Sequence, residues 1–297
     1  MLLDPTSLRL YISVLEEGTI AAAAEREHIA AAAISKRISE LESTLKTTLL
    51  VRTNKGISPT SAGLALSEMA RRVLYELEDI SLQMREYTTG VRGFIRVFAN
   101  ISAINQFLPE DIRSFTRLYP NVQVVLEESI SSSIVKSVQE NSADIGIFSS
   151  FFTEHNIEIL PYRRDSLALI APLGHPILSA KKPIFPQALD YEFIGMHAGS
   201  AINSIITTAA NELHKSFTMK VRVTGFDSLC FMVNSDLGLG VLPLALAQRY
   251  EKIFNIGIIP LQEPWAQRHL NICIRSRDAL STASKLFIDH LQTKSPA

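Results

Sequence analysis

The sequence predicts an α/β multidomain protein in three parts. Short helical patterns and a basic turn occupy residues 1–60, a proline-free amphipathic helix covers 61–90, and strands alternate with helices over 91–297. The change in the period of the apolar residues separates these parts. A chain of 297 residues can form several hydrophobic cores.

Composition is typical of a globular cytoplasmic protein. Hydrophobic residues make up 46% and charged residues 20%, and no apolar run approaches the roughly 20 residues of a membrane span. The segment Met1–Arg9 lacks the basic and apolar regions of a secretory signal. Cys230 and Cys273 are far apart and are expected to be buried reduced thiols, so we expect no metal and no cofactor. The net charge of −1 does not indicate nucleic-acid binding, so any such surface must be local.

The N-terminal part predicts two helices in tandem after a first helix over Ser7–Glu17, which Gly18 ends. Thr19 is expected to cap a helix over Ile20–Glu27, and a third helix begins near Ala30. The apolar positions of the third helix share one narrow sector: Ile34, Ile38, Leu41 and Leu45. Small and basic residues lie opposite or beside it: Ala31, Ala32, Ser35, Lys36, Arg37, Ser39 and Ser43. Such a helix can enter the major groove of DNA, although a helical pair with one solvated face fits the same pattern.

A short basic hairpin follows the third helix. Residues 51–56 form a turn whose Arg52 or Lys55 would reach the phosphate backbone or the minor groove, and Thr60 would cap the next helix. This hairpin has the form of a wing, so the N-terminal part is predicted to be a winged helix-turn-helix.

The order of these residues resembles the LysR-type transcriptional regulators. The resemblance rests on a run that continues without a gap: Ala21 to Glu25, His28-Ile29, Ile34-Ser35-Lys36, Ile38, Leu41-Glu42, Leu49, Arg52, Thr60 and Ala62-Gly63. One segment departs from it, because Ala30-Ala31-Ala32 stands where the family usually has Ser-Gln-Pro. The missing serine cap costs about 1 kcal/mol. The missing glutamine shifts the expected base contacts toward Ser35, Lys36 and the wing.

The segment 61–87 predicts one long helix with a heptad seam. The seam residues are Leu66, Ala70, Val73, Leu77, Ile80 and Met84. Either the helix lies on the core of its own chain or it pairs with a second copy, and we favour a dimerisation helix because the seam is narrow and its surroundings are charged. The resemblance implies a homodimer or homotetramer, which would set two reading helices at a fixed spacing.

Beyond Gly93 the alternation predicts two α/β lobes with a mostly parallel sheet. Lobe I covers about 91–162 and 268–297, and lobe II about 163–267, with crossings near Tyr162-Arg163 and Trp265 to His269. A late strand is expected over Asn271 to Arg275. Two such lobes resemble a periplasmic-binding protein, and the family resemblance implies a two-lobed periplasmic-binding-protein-like effector domain with a small molecule between the lobes.

Family correspondence points to strand ends that enter helices as the effector-binding residues. These are Asn100, Ser102, Phe148, Ser149, His197, Ser200, Phe226 and Asp227. Exposed N–H groups and hydroxyls there suit an anionic or polar ligand, although several of these residues could act only as helix caps. The strand-end segments 100–102, 148–150 and 196–200 contain no lysine or arginine, so a strongly anionic ligand would depend on backbone amides or distant cations.

An enzyme and a transport receptor are the rival functions for a two-lobed fold. The sequence shows no Gly-x-Ser-x-Gly elbow, no His-Glu-x-x-His and no paired metal-ligand cluster, so we expect no enzyme. A transport receptor would not need the N-terminal helices. We therefore expect a transcriptional regulator that binds double-stranded DNA and a small-molecule effector, with RNA polymerase as an open further partner and no membrane association.

Overall fold

The computed structural model describes residues 3–53, 56–89, 91–149, 157–180 and 184–293, without the side chains of residues 52, 53, 78, 79 and 81–89. The chain forms two compact units, Met1–Gly90 with Glu140–Ser142, and Val91–Gln139 with Ala143–Ala297. None of the described helices is both long and apolar enough to cross a membrane.

The first unit is helical with one hairpin. Its elements are α1 (Pro5–Glu17), α2 (Ile20–Glu27), α3 (Ala31–Leu45), β1 (Leu50–Thr53), β2 (Gly56–Pro59) and α4 (Ser61–Thr89). The helix expected from Ser7 begins two residues earlier, because Asp4 caps it through the N–H groups of Thr6 and Ser7 and Pro5 suits the first helical position. Strands β1 and β2 pair antiparallel as the predicted wing, with Arg52 opposite Ile57.

Local caps fix the turns between these helices. Gly18 ends α1 in the left-handed conformation at φ 70°, and the Thr19 hydroxyl accepts the Ala22 N–H at 3.1 Å. The N-cap position of α3 is Ala30, which makes no side-chain cap. Helix α3 is instead tied to the wing, because the Glu42 carboxylate accepts the N–H groups of Leu49 at 2.7 Å and Leu50 at 3.2 Å.

Close packing of α4 against the start of the wing requires a glycine at position 63. A Cβ built there would lie 2.2 Å from the Leu49 carbonyl oxygen and 2.6 Å from the Tyr11 hydroxyl. We expect Gly63→Ala to lower the free energy of unfolding of this unit by about 1–3 kcal/mol, because the backbone must shift to admit the methyl group. Hydrogen exchange of the α1 amides in the full chain measures this, with Ser61→Ala in the exposed first turn as the control. Equal protection in the two variants would contradict the prediction.

The second unit contains the remaining helices and strands. Its first half comprises β3 (Gly93–Ala99), α5 (Ile101–Gln106), α6 (Leu108–Leu118), β4 (Val122–Glu128), α7 (Ser131–Gln139) and β5 (Ile145–Phe148). The long strand β6 (Glu158–Pro172) leads to α8 (Phe185–Ala188), β7 (Phe193–Met196), α9 (Ala201–Glu212), β8 (Met219–Val223), α10 (Phe226–Asn234), β9 (Gly240–Pro243), α11 (Leu244–Glu251) and β10 (Ile256–Pro260). Strand β11 (Gln267–Ile274) and α12 (Thr282–Thr293) complete it.

Strands β6 and β11 run through both lobes of this unit. The larger sheet has the order β10-β6-β11-β5-β3-β4, with β9 also paired to β6. The expected parallel pairing holds for β3 with β4 and β5, and for β7 with β8. The pairs made by β6 and β11 are antiparallel, which differs from the mostly parallel sheet predicted. Separate hydrophobic cores lie on either side of the crossing, one around Phe115 and Phe287 and the other around Phe185 and Phe226.

Candidate functional site

Helix α3 buries one face and leaves the other open to solvent. Ile34 and Ile38 are buried in the core of the first unit, whereas Ala31, Ala32, Lys36 and Ser39 are exposed. The Lys36 side chain is 78% exposed and lies 3.8 Å from Glu40, which is a weak contact at the protein surface. This face therefore offers small methyl groups, a hydroxyl and one accessible cation.

Two further predicted DNA-binding residues also have partners within the protein. Ser35 is half-buried and already interacts with another group of the chain. Arg37 donates to Asp4 at 2.5 Å and to the Ser7 hydroxyl at 3.3 Å, which joins α3 to the beginning of α1. The N–H of Thr6 is the largest of the causes that lower the pKa of Asp4, and Arg37 adds to the shift. Asp4 therefore stays ionised, and its carboxylate would compete with a DNA phosphate for the Arg37 guanidinium.

The wing residues expected to contact DNA lie partly outside the described residues. The backbone of Arg52 belongs to β1. The Arg52 side chain and all of Lys55 lie outside the described part of the chain. Their contacts stay a prediction.

The predicted dimerisation seam on α4 divides into two halves. Leu66 and Ala70 are buried in the core of their own unit, where they pack against α1 and its neighbours, so they are not exposed for pairing. Further along the helix, exposed apolar side chains form a stripe of Met69, Val73, Leu77 and Ile80, each between 41% and 56% exposed. The Met84 side chain lies outside the described residues.

A cleft opens in the second unit where β11 passes between the two lobes. Its wide part is a cavity of about 580 Å³. Lobe I contributes hydroxyls, lobe II contributes side chains of α9, and the crossing segment contributes residues between 264 and 269. The lining residues include Ser131, Ser149, Ser204, Ile205, Thr208, Trp265 and Arg268.

A narrow recess continues from this cavity toward the helix ends. It has a volume of about 20 Å³ and is lined by five of the predicted effector-binding residues, which are Asn100, Ser102, Ser149, His197 and Ser200. The Asn100 amide donates to the Ser149 hydroxyl at 2.8 Å, and its oxygen accepts the Ala103 N–H at 2.9 Å. Asn100 therefore caps α5 and also connects two strand ends of lobe I.

Family comparison gives a match to each unit. The LysR substrate binding domain matches residues 88–296, which is more than half of the chain. The bacterial regulatory helix-turn-helix protein family named after lysR matches residues 5–64. The chain belongs to the LysR family. It is a transcriptional regulator with a helix-turn-helix DNA-binding domain and an effector-binding domain, as its sequence predicts. LysR-family proteins are regulators and are generally not enzymes.

Relatives of this LysR-family chain match along nearly its whole length. The uncharacterized HTH-type transcriptional regulator YbhD of Escherichia coli is 26% identical, over 95% of this chain and 89% of that protein. The HTH-type transcriptional activator IlvY of Haemophilus influenzae is 24% identical, over 92% and 94% of the two chains. In structure, the chain is similar to the LysR-family regulator CbnR, with a TM-score of 0.75, 20% identity, and coverage of 99% of this chain and 100% of CbnR.

Three predicted effector-binding residues do not line the two cavities described above. Phe148 and Phe226 are 0% and 1% exposed and pack in the hydrophobic cores of the LysR effector domain. Asp227 is exposed in the first turn of α10. Strand ends alternate between the cleft and the core, so a correspondence of segments does not decide which side chain faces the ligand.

Arg268 lines the cleft, although no sequence pattern predicted it there. It lines both the wide cavity and the recess, so the cleft contains an arginine that lies outside the three strand-end segments. Its side chain is 2% exposed and pairs with Asp165, directly opposite it on β6. One sequence signal could have identified it, namely a single arginine between Ala266 and Leu270 in the predicted crossing segment. An arginine in a segment that becomes buried almost always has a specific partner.

Proposed function

We propose that this regulator reads duplex DNA with the exposed face of α3, as a dimer joined through α4, and responds to a small molecule in the cleft. The observation that carries the proposal is the contrast between the buried and exposed faces of α3. Ala31 and Ala32 present methyl groups that fit against thymine methyls, and their small size allows the helix backbone to approach the base edges.

The stripe of Met69, Val73, Leu77 and Ile80 supports the dimer. An exposed helix face with four large apolar residues at helical spacing favours pairing with another such face. A two-fold dimer would place two α3 helices on the half-sites of a symmetric operator. Full-length CbnR, whose fold is similar to that of this chain with a TM-score of 0.76, has been crystallised with its target DNA, which supports DNA as a partner of this chain.

The position of the cleft between two lobes supports a change in DNA binding that depends on the ligand. Its walls belong to two lobes joined by β6 and β11, so a ligand that contacts both walls favours one lobe arrangement over another. A ligand can change DNA binding only by its difference in affinity for the two arrangements. We infer that the chain acts in the cytoplasm, where its operator lies, and that the cleft binds its ligand without turnover.

Binding of genomic fragments at low salt tests the proposal. We expect the purified protein to retard the promoter fragment next to its own gene in a gel-shift assay, and to select fragments with two-fold symmetry. Failure to bind any genomic fragment at low salt would overturn the proposed DNA-binding function.

Lys36→Ala tests the assignment of the exposed cation on α3. We expect weaker operator binding and a salt slope reduced by about one unit, because one phosphate contact and its released counterion are lost. Operator affinity measured over a salt titration gives this slope. Lys220→Ala is the control, because Lys220 is also exposed and paired with a glutamate, but belongs to the effector domain. An unchanged slope for Lys36→Ala would remove this residue from the contact set.

A further inference from the structure

We propose that the first turn of α3 recognises the C5 methyl groups of pyrimidines in the major groove, and that it therefore accepts 5-methylcytosine in place of thymine. This inference rests on the proposed role of α3 as the DNA-reading helix, and it states which feature of the base pairs that helix reads. Three observations support it: an exposed apolar segment at the start of α3, the fixed backbone of that segment, and the contacts of the polar side chains that follow it.

An exposed apolar segment leads into α3. Its residues, all of them exposed, are Ile29, Ala30, Ala31, Ala32 and Ala33, and we call this segment the methyl surface. Side chains of alanine and isoleucine can neither donate nor accept a hydrogen bond. In helix-turn-helix proteins the N-terminal residues of the second helix contact base edges, so the methyl surface is the part of α3 that would lie nearest to the bases.

Backbone hydrogen bonds fix the methyl surface without help from a polar side chain. The Ile29 N–H donates to the Ala24 carbonyl at 3.1 Å, which closes the turn after α2. The Ala30 carbonyl accepts the N–H groups of Ala33 at 2.9 Å and Ile34 at 3.3 Å, which starts α3 although Ala30 makes no side-chain cap. The methyl groups therefore have set positions before DNA binds, which lowers the ordering cost of binding.

The polar side chains that follow the methyl surface on α3 have other contacts. Ser35 is half-buried and interacts within the chain, and the Arg37 guanidinium donates to Asp4 at the beginning of α1. Lys36 is exposed on a long side chain, which suits the phosphate contact proposed above. Among the described side chains of α3, those of its first turn therefore offer methyl groups to the base edges that face them.

The C5 methyl of thymine is the one apolar group that a base edge presents in the major groove. Guanine, adenine and unmethylated cytosine present hydrogen-bond donors and acceptors there, and these stay unsatisfied when a methyl group of the protein displaces water from them. 5-Methylcytosine carries its methyl group at the same ring position as thymine. Side chains that make no hydrogen bonds to base edges therefore distinguish methylated from unmethylated pyrimidines, and they do not separate thymine from 5-methylcytosine.

Uracil interference on the promoter fragment next to the gene of this protein locates the methyl contacts. Deoxyuridine replaces thymidine at random in the labelled fragment, and the bound and free fractions from a gel shift with the full-length protein are compared after cleavage at uracil. Deoxyuridine lacks the C5 methyl but keeps the hydrogen-bonding groups of thymine, and it leaves the minor groove unchanged. We expect deoxyuridine to be depleted from the bound fraction at thymines in each half-site. A retarded fragment without depletion at any thymine would overturn the proposal.

Synthetic duplexes then separate methyl recognition from hydrogen bonding. At a position found by interference they carry T·A, U·A, 5-methylcytosine·G or C·G. We expect U·A and C·G to bind about fourfold more weakly than T·A, because each lacks the burial of one methyl group. The duplex with 5-methylcytosine·G is expected to bind within about twofold of T·A. Equal affinity for U·A and T·A, or equally weak binding of 5-methylcytosine·G and C·G, would contradict the inference.

The double variant Ala31→Gly with Ala32→Gly assigns the recognition to α3. It removes methyl groups of the protein, so we expect its preference for T·A over U·A to fall from about fourfold to less than about twofold. A partial loss of folded protein does not change this ratio, because both duplexes are measured with the same preparation. If the double variant binds neither duplex, each single variant is measured in the same way.

Lys36→Ala is the matched control on the same helix. It is expected to weaken the binding of both duplexes equally and to keep the preference for T·A at about fourfold, because a phosphate contact does not depend on the base. A glycine variant that binds DNA and retains the wild-type preference would exclude the methyl surface as the reader of the methyl groups.

The gel shift and the interference pattern separate this inference from the proposed function. A retarded wild-type complex without uracil interference concerns only the feature that α3 reads. Absence of any gel shift with the wild-type protein would instead overturn the proposed DNA-binding function, and this inference with it.

Discussion

Ala32→Glu is expected to reduce operator affinity by two orders of magnitude or more. Ala32 is exposed on the second residue of α3, in the face that we propose enters the major groove. A carboxylate there would meet the negative potential of the groove, and like charges held together at an interface cost several kcal/mol, or roughly 100-fold when the cost is about 3 kcal/mol. Fluorescence anisotropy with a labelled operator fragment measures the change.

Ala245→Glu is the matched control for this substitution. Ala245 is also an exposed alanine at the second position of a helix, α11, in the effector domain. A glutamate in the first turn of either helix is compatible with folding, because it interacts favourably with the helix dipole. Wild-type affinity of Ala32→Glu, or an equal loss in both variants, would show that this face of α3 does not contact DNA.

The double substitution Val73→Glu and Ile80→Glu is expected to convert the proposed dimer into monomers and to remove tight operator binding. The two residues are one heptad apart on α4 and are 46% and 56% exposed in the single chain. In a paired helix the burial of their remaining exposed halves contributes about 1 kcal/mol per side chain, and glutamates in the seam would oppose their counterparts. Analytical ultracentrifugation measures the mass, and anisotropy measures the operator affinity.

Leu173→Glu is the control for the seam. Leu173 is 64% exposed in a turn of the effector domain, so the variant replaces an equally accessible apolar residue away from α4. We expect it to remain a dimer. A seam variant that sediments as a dimer and binds its operator normally would contradict the pairing through α4.

Local signals predicted the N-terminal helices because local contacts determine them. Thr19 caps α2 and Gly18 ends α1, and both act through hydrogen bonds within a few residues. The apolar stripe of α3 likewise follows from one helical period. The earlier start of α1 was missed because Asp4 and Pro5 lie outside the apolar pattern that marked the helix.

Strand β6 was predicted only over its apolar end. The apolar run predicts a strand over Ser166 to Ala171, whereas β6 spans Glu158–Pro172. The additional segment is rich in charged residues and is a strand because β11 pairs with it, more than a hundred residues later in the chain. Local propensity carries no information on such a partner.

The sequence by itself determined the order of the parts, the winged helix-turn-helix and the long helix, because each follows from short-range periodicity and caps. The two-lobed effector domain was implied by the resemblance of the chain to the LysR family. Only the tertiary structure decided how individual side chains are used. It assigned Leu66 to the core and left Val73 exposed on the same seam, and it buried Phe148 while Ser149 beside it lines the cleft. It also brought Arg268 to Asp165 across β6 and β11. These outcomes depend on strand pairing and packing between distant segments, so no local pattern contains them.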